Sequence, residues 1–225
     1  MNQQHEYIGT RKLLIGIVLA VITFWLFANS LINVIPNLQT SFGSYLSTIS
    51  IAVSLTALFC GMFVVGAGSL ADYFGRVRLT IIGLWLNIFG SLLIIVSDYI
   101  PLLLMGRAIQ GLSAALIMPA TLSLIKAYYH GDKRQRALSF WSIGSWGGSG
   151  FASLFGGMIA TFLSWRWIFV FSIIVSLIAV LLIKGTPESK NQHASSRQFD
   201  IVGLILLVVM MLSLNIICLL YTSPS

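Results

Sequence analysis

Arg107 is a charged residue inside a long apolar stretch of this sequence. An arginine at the centre of a lipid bilayer costs roughly 2.5–3.5 kcal/mol on insertion scales, so its side chain is expected to face the protein interior or a wet cavity and to mark a functional site. Gln110 follows just short of a full helical turn and can share the same face. The alternative is that Arg107 extends along its helix until the guanidinium reaches water.

Charged residues also cluster between residues 68 and 78, where the sequence reads GSLADYFGRVR. A short loop here must reverse the chain direction, and Gly68 and Gly75 supply the backbone freedom that a reversal needs. Asp72 can accept hydrogen bonds from a nearby arginine, or lie at a helix N-terminus where an anion is favoured. A solvated loop whose charges only orient the protein explains the same residues equally well.

Glycine is concentrated between residues 144 and 157. Gly144, Gly148 and Gly156, with Ala152 between them, recur every four residues and form a stripe of small residues on one helical face. Such a stripe lets a second helix approach closely, and packing alone would explain it.

Aromatic and polar residues in the apolar runs are candidates for a substrate cavity, because a ligand pocket combines apolar surfaces with a few polar groups. The candidates are Trp25, Asn29, Asn33, Met118, Trp141 and Trp146. The first three can lie on one helical face, and methionine adapts to ligands of varied shape. Each aromatic residue could equally be a lipid or interface anchor, which is the role we expect for Trp165 and Trp167.

The elements that must hold these residues are membrane-spanning helices. The chain has 225 residues, 57% hydrophobic and 8% charged, whereas a soluble domain has about 25% charged residues. The apolar runs are continuous and do not alternate as barrel strands do, so the predicted fold class is an all-α membrane protein. Seven spans are predicted, at about 13–35, 46–67, 79–96, 102–125, 137–163, 167–183 and 201–221. The two cysteines lie in apolar runs and predict no disulfide framework.

The placement of the positive charges predicts the orientation. Apart from Arg107 and Arg166, every one of the 13 Lys and Arg residues lies in the N-terminal segment or in the loops after the second, fourth and sixth spans. The N-terminus is therefore expected to be cytoplasmic. The net charge of +7 is then a topology signal and not a sign of nucleic-acid binding. A seven-helix receptor needs an external N-terminus, so the charges oppose that alternative.

Three motifs together resemble the major facilitator superfamily, and most closely the multidrug exporters in its fourteen-helix drug:proton antiporter branch. Residues 68–78 resemble the signature motif of loop 2–3, with matches at Gly68, Leu70, Ala71, Asp72, Gly75 and Arg76. Tyr73 and Val77 depart from the motif, and Arg78 stands next to the second departure. The resemblance implies a latch that stabilises the outward-open state and is formed by Gly68, Asp72, Gly75, Arg76 and Arg78.

The two other motifs lie in the fourth and fifth spans. Arg107, Gln110 and Gly111 resemble the R-x-x-q-G motif of the family, which implies a part in proton transfer, while Ser113 departs from the motif. The glycine run resembles the antiporter motif g-x3-G-x3-G-P-x2-G-G. The matches are Gly144, Gly148, Gly156 and Gly157. Ala152-Ser153 replaces the Gly-Pro pair, so facilitator-type import of a sugar or metabolite stays open.

The resemblance implies a transporter and not an enzyme, with multidrug efflux by drug:proton antiport in a bacterial cell membrane. Its expected partners are the lipid bilayer, protons and small amphipathic drug-like substrates. It uses the proton gradient as its energy source and needs neither a cofactor nor a metal. No acidic residue lies in the middle of a span. The coupling acid is therefore expected in a missing C-terminal half, unless coupling uses Arg107 and its neighbours differently.

The domain organisation predicted from these features has four parts. Residues 1–183 form an N-terminal six-helix bundle, 184–200 a cytoplasmic linker, 201–217 a seventh transmembrane helix and 218–225 a non-native tail. Because the family combines two bundles, the sequence is expected to be a fragment that lacks the C-terminal bundle and is inactive alone.

Overall fold

The computed structural model describes residues 8–189 and 201–222, and helices make up most of both ranges. They are α1 (Arg11–Ile22), α2 (Ile35–Phe42), α3 (Leu46–Phe74), α4 (Arg76–Ile95), α5 (Ile100–Tyr128), α6 (Gly131–Ser142), α7 (Gly148–Phe162), α8 (Arg166–Ile183) and α9 (Ile201–Thr222). Neither range contains a β-strand. The predicted all-α class is confirmed. Most of the predicted linker, and the last residues of the predicted tail, lie outside the described residues.

Within the described residues, five segments are long and apolar enough to cross a membrane. The first, Arg11–Phe42, joins α1 to α2 through a π-helical turn and a 3-10 turn, and the others are α3, α4, α5 and α8. The two remaining predicted spans, at about 137–163 and 201–221, are helical but are not among these five segments. In residues 131–162 a second π-helical turn joins α6 to α7, and the many glycines and serines lower the hydropathy. In α9 the described apolar part is Ile205–Leu214.

Two predicted loops are shorter than expected. The prediction that the first loop begins at Pro36 is wrong, because Pro36 lies in the first turn of α2, where its missing N–H costs no hydrogen bond. The prediction that Gly68 helps to reverse the chain is also wrong, because α3 continues to Phe74. A glycine costs a helix only about 1 kcal/mol. Gly75 alone makes the turn, with φ at 118°.

The described interior has three apolar clusters, and polar residues lie between the two larger ones. One cluster contains Leu84 of α4 and Ile117 of α5, and the other contains Ile94 of α4 and Leu103 of α5. Between these positions, the same two helices bury polar side chains. They are Asn87, Ser91, Arg107, Gln110 and Ser113. The polar layer therefore lies inside the bundle, where unpaired polar groups would be costly.

The outer face of α4 is apolar. On α4, large hydrophobic side chains recur every three or four residues and are about half exposed: Ile82, Trp85, Phe89 and Leu92. A water-soluble helix would carry polar residues on this face. The exposed apolar stripe fits a bundle whose solvent is lipid.

One end of the bundle, here called the basic end, gathers the starts of α1, α4 and α6 and the ends of α3, α5 and α8. The N-terminal segment is held there because Gly9 N–H donates to the Tyr128 carbonyl at 2.8 Å and the Tyr129 hydroxyl donates to the Thr10 carbonyl at 2.7 Å. The chain after α8 is held because Arg76 N–H donates to the Ser189 carbonyl at 3.1 Å. Connectors that are expected on one side of the membrane therefore meet at one end.

At the opposite end, Trp165 is not the interface anchor that the sequence suggests. It is 3% exposed, and its Nε1 donates to Ser41 Oγ at 3.1 Å. The prediction is wrong because the wide ring fills the space between α2 and α8, with the Arg166 guanidinium 4.8 Å from its centre. Trp167 is 44% exposed and stays compatible with anchoring.

Candidate functional site

Arg107 lies near the first turns of α5 and points into the bundle with 2% of its surface exposed. Its Nε donates to the Ala52 carbonyl at 3.1 Å and Nη1 to Gln110 Oε1 at 2.9 Å. Its Nη2 donates to the carbonyls of Ala28 and Val53, both at 3.3 Å. The alternative in which Arg107 reaches water is wrong. The side chain instead links α5 to α3 and to the first span.

Gln110 shares the face of Arg107, as the spacing predicts, and extends the polar layer to α4. Its Nε2 donates to Ser91 Oγ at 3.0 Å. The backbone of Arg107 is also held, since Thr56 Oγ1 donates to the Arg107 carbonyl at 3.0 Å. Ser91 and Thr56, at the two ends of this network, are both buried. A network whose members are all satisfied keeps one geometry in a low-dielectric interior.

Glycines allow the helices around Arg107 to come this close. A Cβ at Gly111 would lie 2.6 Å from the Thr56 carbonyl oxygen, so α3 and α5 are in backbone contact there. A Cβ at Gly106 would lie 2.9 Å from the Gly90 carbonyl oxygen, so α4 and α5 are also in backbone contact. Gly111 therefore belongs to the helix packing around the arginine, and any side chain there would separate α3 from α5.

The charge of Arg107 has no acidic counterpart among the described residues. Asp72 pairs with Arg76 and Glu188 with Arg78 at the basic end, where Asp132 also lies in the first turn of α6. Asp98 lies exposed at the opposite end. Carbonyl dipoles surround the guanidinium but do not neutralise it. A desolvated cation of this kind attracts anions strongly.

A cavity of about 340 Å³ lies beside Arg107, between the first span and α3. Its lining residues are Phe24, Ala28, Asn29, Ile32, Val53, Ser54, Thr56, Ala57, Leu58 and Arg107. Six of the ten lining residues are apolar, and Asn29, Ser54, Thr56 and Arg107 supply polar groups. Of the six predicted cavity residues, Asn29 lines this cavity.

Trp25 and Trp146 lie next to each other, one in each of the two π-helical turns. Their rings stack with centroids 6.1 Å apart and planes 24° apart. Trp146 is 74% exposed, whereas Trp25 Nε1 is buried without a hydrogen-bond partner in the described part of the chain. Turns of this type are frequent at functional sites. The fold therefore brings these two candidates together.

The other three cavity candidates lie apart from the cavity. Asn33 is exposed, and Met118 is partly buried on α5. Trp141 donates from Nε1 to Thr121 Oγ1 at 3.2 Å, which ties α6 to α5. None of the three lines the cavity beside Arg107.

The glycine stripe contacts the first span. A Cβ at Gly144 would lie 3.1 Å from Val18, and one at Gly148 would lie 3.2 Å from Trp25. The approach is closest at Gly156, where a Cβ would lie 2.8 Å from the Ser30 carbonyl oxygen. Gly157 has nothing within 4 Å and lies off the stripe.

The residues of the predicted latch meet at the basic end. Arg76 donates to Asp72 Oδ1 from Nη2 at 2.8 Å and from Nε at 3.0 Å. Its Nη1 also donates to Ser189 Oγ at 3.2 Å. Arg78 is largely exposed, with its Nε 4.0 Å from Glu188 Oε2. Gly68 lies one to two turns earlier in α3 and is partly buried.

Glu188 is a member of this group that the sequence does not reveal. It accepts from Val77 N–H at 2.9 Å through Oε1 and from Arg78 N–H at 3.0 Å through Oε2. The carboxylate thus caps the start of α4, which has no cap from its own sequence. It lies directly over Gly75, where a Cβ would come 2.6 Å from Oε1. The sequence carries no signal for this cap, because Val77 and Glu188 are 111 positions apart.

Comparison with known proteins identifies the family. The sequence model described as Major Facilitator Superfamily matches residues 13–224. The chain is 68% identical over 209 residues to the quinolone resistance protein NorB of Staphylococcus aureus strain Newman, and equally to the protein of that name in strain COL. Each match covers 93% of this chain and 45% of the relative. The chain therefore spans about half the length of the curated relatives it matches.

Solved structures of low sequence identity share the fold. A D-xylose-proton symporter matches with a TM-score of 0.69 at 16% identity, over 90% of this chain and 53% of the symporter. The peptide transporter POT in complex with sulfate matches with a TM-score of 0.68 at 17% identity, over 93% of this chain and 44% of that one. The predicted resemblance is confirmed, and the chain is a multi-pass membrane protein. It belongs to the Major Facilitator Superfamily, a family of transporters.

Proposed function

We propose that this chain forms the N-terminal half of a multidrug exporter in a bacterial cell membrane, with its N-terminus in the cytoplasm. Small amphipathic drug-like compounds would leave the cell in exchange for protons, and the proton gradient would supply the energy. The observation that carries the proposal is the buried guanidinium of Arg107 beside a mainly apolar cavity. The 68% identity to quinolone resistance proteins supports efflux over uptake.

In this proposal Arg107, Gln110 and Gly111 take part in proton transfer without themselves losing a proton. A guanidinium stays protonated in proteins, so Arg107 acts by stabilising a nearby carboxylate in its charged form. The described spans hold no carboxylate near Arg107. The acid that titrates would come from the second bundle. Gln110 holds the guanidinium in position, and Gly111 lets α3 approach α5.

The latch residues at the basic end would hold one state of the transport cycle. Alternating access moves one bundle against another. The pair between Asp72 and Arg76, together with Arg78 and the turn at Gly75, lies at the end of the bundle that such a movement would open and close. Gly68 would contribute to the latch from α3, because a residue without a side chain leaves room for a neighbouring helix. The latch would stabilise the outward-open state.

The glycine stripe would give the fifth span freedom to move against the first. Gly144, Gly148 and Gly156 allow backbone contact without interlocking side chains. Gly157 lies off that contact and would meet the second bundle. A stripe of this kind favours the antiport cycle that we propose.

Transport in inverted membrane vesicles tests the function. The full-length gene that encodes this chain is expressed, and accumulation of a fluorescent quinolone is measured with and without a protonophore. Accumulation that requires the pH gradient is expected, and the Arg107→Gln variant should lose it. Accumulation that survives collapse of the gradient would contradict antiport. Gradient-dependent uptake of a sugar without quinolone transport would favour the importer instead.

A further inference from the structure

We propose that the outer face of the α4–α8 pair binds one anionic phospholipid at the basic end, with its phosphate on Arg78 and Lys184. Two cations at the helix ends meet the phosphate, and the apolar surface next to them meets the acyl chains. This face is separate from the cavity beside Arg107, which lies between the first span and α3. The inference therefore goes beyond the proposed function and does not depend on which substrate is carried.

Three hydrogen bonds fix how α4 and α8 lie against each other. Arg166 Nε, at the start of α8, donates at 3.0 Å to the carbonyl of Ile95, the last residue of α4. Closer to the basic end, Asn87 Nδ2 donates to the hydroxyls of Ser172 and Ser176 at 2.9 and 2.8 Å. The two helices are therefore antiparallel neighbours, with a register that these contacts define.

This register brings Arg78 and Lys184 to the same level. Arg78 lies in the first turn of α4, and Lys184 directly follows the last residue of α8. Each lies roughly 12–14 Å from the Asn87 contact along its own helix, because an α-helix rises 1.5 Å per residue. Two cations at one level can contact one phosphate group, which an arginine binds through two parallel hydrogen bonds.

Both positive charges lie at the surface of the described chain. Lys184 is exposed, and the side chain of Arg78 is 72% exposed. The carboxylate beside Arg78 is Glu188, whose Oε2 lies 4.0 Å from Nε. Both Glu188 oxygens already accept backbone N–H groups at the start of α4. Nη1 and Nη2 of Arg78 make no hydrogen bond within residues 8–189 and 201–222, so they can donate to a phosphate.

Next to the two cations, both helices turn large apolar side chains outward. On α4, Ile82 and Trp85 follow the arginine by about one and two helical turns and continue its face. On α8, Leu181 and Leu177 precede the lysine at similar spacing. These four side chains are 40–66% exposed. The acyl chains of the lipid would cover them, so that one molecule contacts both the charges and the apolar surface.

The level of the cations matches the headgroup layer of a membrane. Helix α4 has 20 residues and is therefore about 30 Å long, which is close to the thickness of the hydrocarbon core. Its first turn thus lies at the boundary where lipid phosphates are found. Basic pockets between transmembrane helices at this depth are known to bind anionic headgroups.

Native mass spectrometry of the full-length protein in detergent tests the inference with the second half of the protein in place. Two lipids with the same dioleoyl chains are titrated separately, the anionic phosphatidylglycerol and the zwitterionic phosphatidylcholine. The first phosphatidylglycerol should bind about fivefold tighter or more. Equal affinity for the two lipids would overturn the inference. Glycerophosphoglycerol has the headgroup without the chains, and displacement by equal concentrations of it would show that the ligand is a soluble phosphate and not a lipid.

Charge variants assign the preference to the site. Lys184→Gln and Arg78→Gln should each reduce the preference for phosphatidylglycerol by about threefold or more, and the double variant should abolish it. Lys184→Arg keeps the charge and should keep the preference. Lys133→Gln is the control, because it removes an exposed charge from the same end of the bundle on α6, which packs against α1 and α5. A preference that persists in the double variant, or that Lys133→Gln lowers equally, would overturn the inference.

The variants leave the contacts between helices in place. Glu188 accepts the backbone N–H of residue 78, which glutamine retains, and the Lys184 side chain is exposed. Trp85→Ala removes apolar surface but neither charge, so it should weaken both lipids by the same factor. A lost preference in Trp85→Ala would contradict the assignment of the phosphate to the two cations. Lipid binding is measured without transport, so a failure of proton-coupled efflux would overturn the proposed function alone.

Discussion

At the scale of single residues, the surroundings of Asp98 and Glu188 decide what each carboxylate does. Asp98 has a side chain that is 90% exposed and pairs with Arg166 at 3.3 Å in contact with water. Exposed pairs of this kind contribute about 0–1 kcal/mol. The side chain of Glu188 is 25% exposed and accepts two backbone N–H groups that have no other partner in α4. Asp98 and Glu188 are chemically similar, but only Glu188 lies at the start of a helix. Only Glu188 therefore acts as a helix cap.

Replacing Glu188 with alanine should destabilise the bundle by about 1 kcal/mol, the usual effect of losing a helix cap. The reason is that the N–H groups of Val77 and Arg78 lose their acceptor. The free energy of unfolding of the purified chain in a detergent titration measures the effect, followed by circular dichroism.

Asp98→Ala is the matched control, because it also removes one carboxylate from a salt bridge. Its effect should stay below about 0.5 kcal/mol. Equal destabilisation by the two variants would show that Glu188 acts only through its charge and does not cap α4.

At the scale of elements, two contacts hold the helices in different ways. The fifth span approaches the first through backbone contact at glycines, with Ser30 Oγ donating to the Ala152 carbonyl at 3.1 Å. Helices α4 and α8 are joined by side chains, since Asn87 Nδ2 donates to Ser172 Oγ at 2.9 Å and to Ser176 Oγ at 2.8 Å. The first contact depends on the absence of side chains, whereas the second depends on hydrogen bonds between side chains.

Gly156→Ala should destabilise the bundle by about 1–3 kcal/mol, the typical cost of overpacking. The new Cβ would lie 2.8 Å from the Ser30 carbonyl oxygen, a backbone atom that cannot move without shifting the first span. Thermal unfolding in detergent measures the loss. The neighbouring Gly157→Ala adds the same methyl group into open space and should be neutral or slightly stabilising. Similar losses in both variants would refute the contact.

Asn87→Ala should cost about 1–2 kcal/mol, since interhelical hydrogen bonds in membranes contribute on average about 0.6 kcal/mol each and Asn87 makes two. A double-mutant cycle with Ser176→Ala in the same unfolding assay measures the coupling energy between Asn87 and Ser176. Ser139→Ala serves as the control, because that exposed hydroxyl bonds only within α6. A coupling energy of zero between Asn87 and Ser176 would rule out the proposed register contact.

At the scale of the whole molecule, the two ends of the bundle differ in how many basic residues they carry. The basic end carries Arg76 and Arg78 at the start of α4 and the N-terminal segment beside Tyr129. The other end carries Trp165 and Arg166. The positive-inside rule predicts that the basic end lies in the cytoplasm.

Cysteine labelling checks that orientation. Cys60 and Cys218 are first replaced by serine, and single cysteines are introduced at Tyr45 and at Lys133. Tyr45 is 85% exposed between α2 and α3, at the end opposite the basic end. A membrane-impermeant maleimide should label Tyr45→Cys in intact cells and Lys133→Cys only after permeabilisation. The reverse pattern would place the basic end outside and contradict the proposed orientation.

The candidate site was predictable from sequence only in part, as Arg107 and Glu188 illustrate. The spacing of Arg107 and Gln110 on one helix, with a charge amid apolar residues, was enough to indicate a buried polar pair. The cap at Val77 joins residues 111 positions apart, and no local pattern links them. Asn87 and Ser172 are 85 positions apart and were missed for the same reason.

The sequence by itself determined the all-α class, the approximate helices and the basic character of alternate connectors. These depend on the free energy of moving each side chain between water and lipid, which is a property of local composition. Only the tertiary structure decided that Trp165 is buried, that Gly68 is helical, that Gly157 lies off the glycine stripe, and that Asn29 shares a cavity with Arg107. The reason is that these outcomes depend on how closely neighbouring helices approach one another, which is set by contacts between residues far apart in the chain.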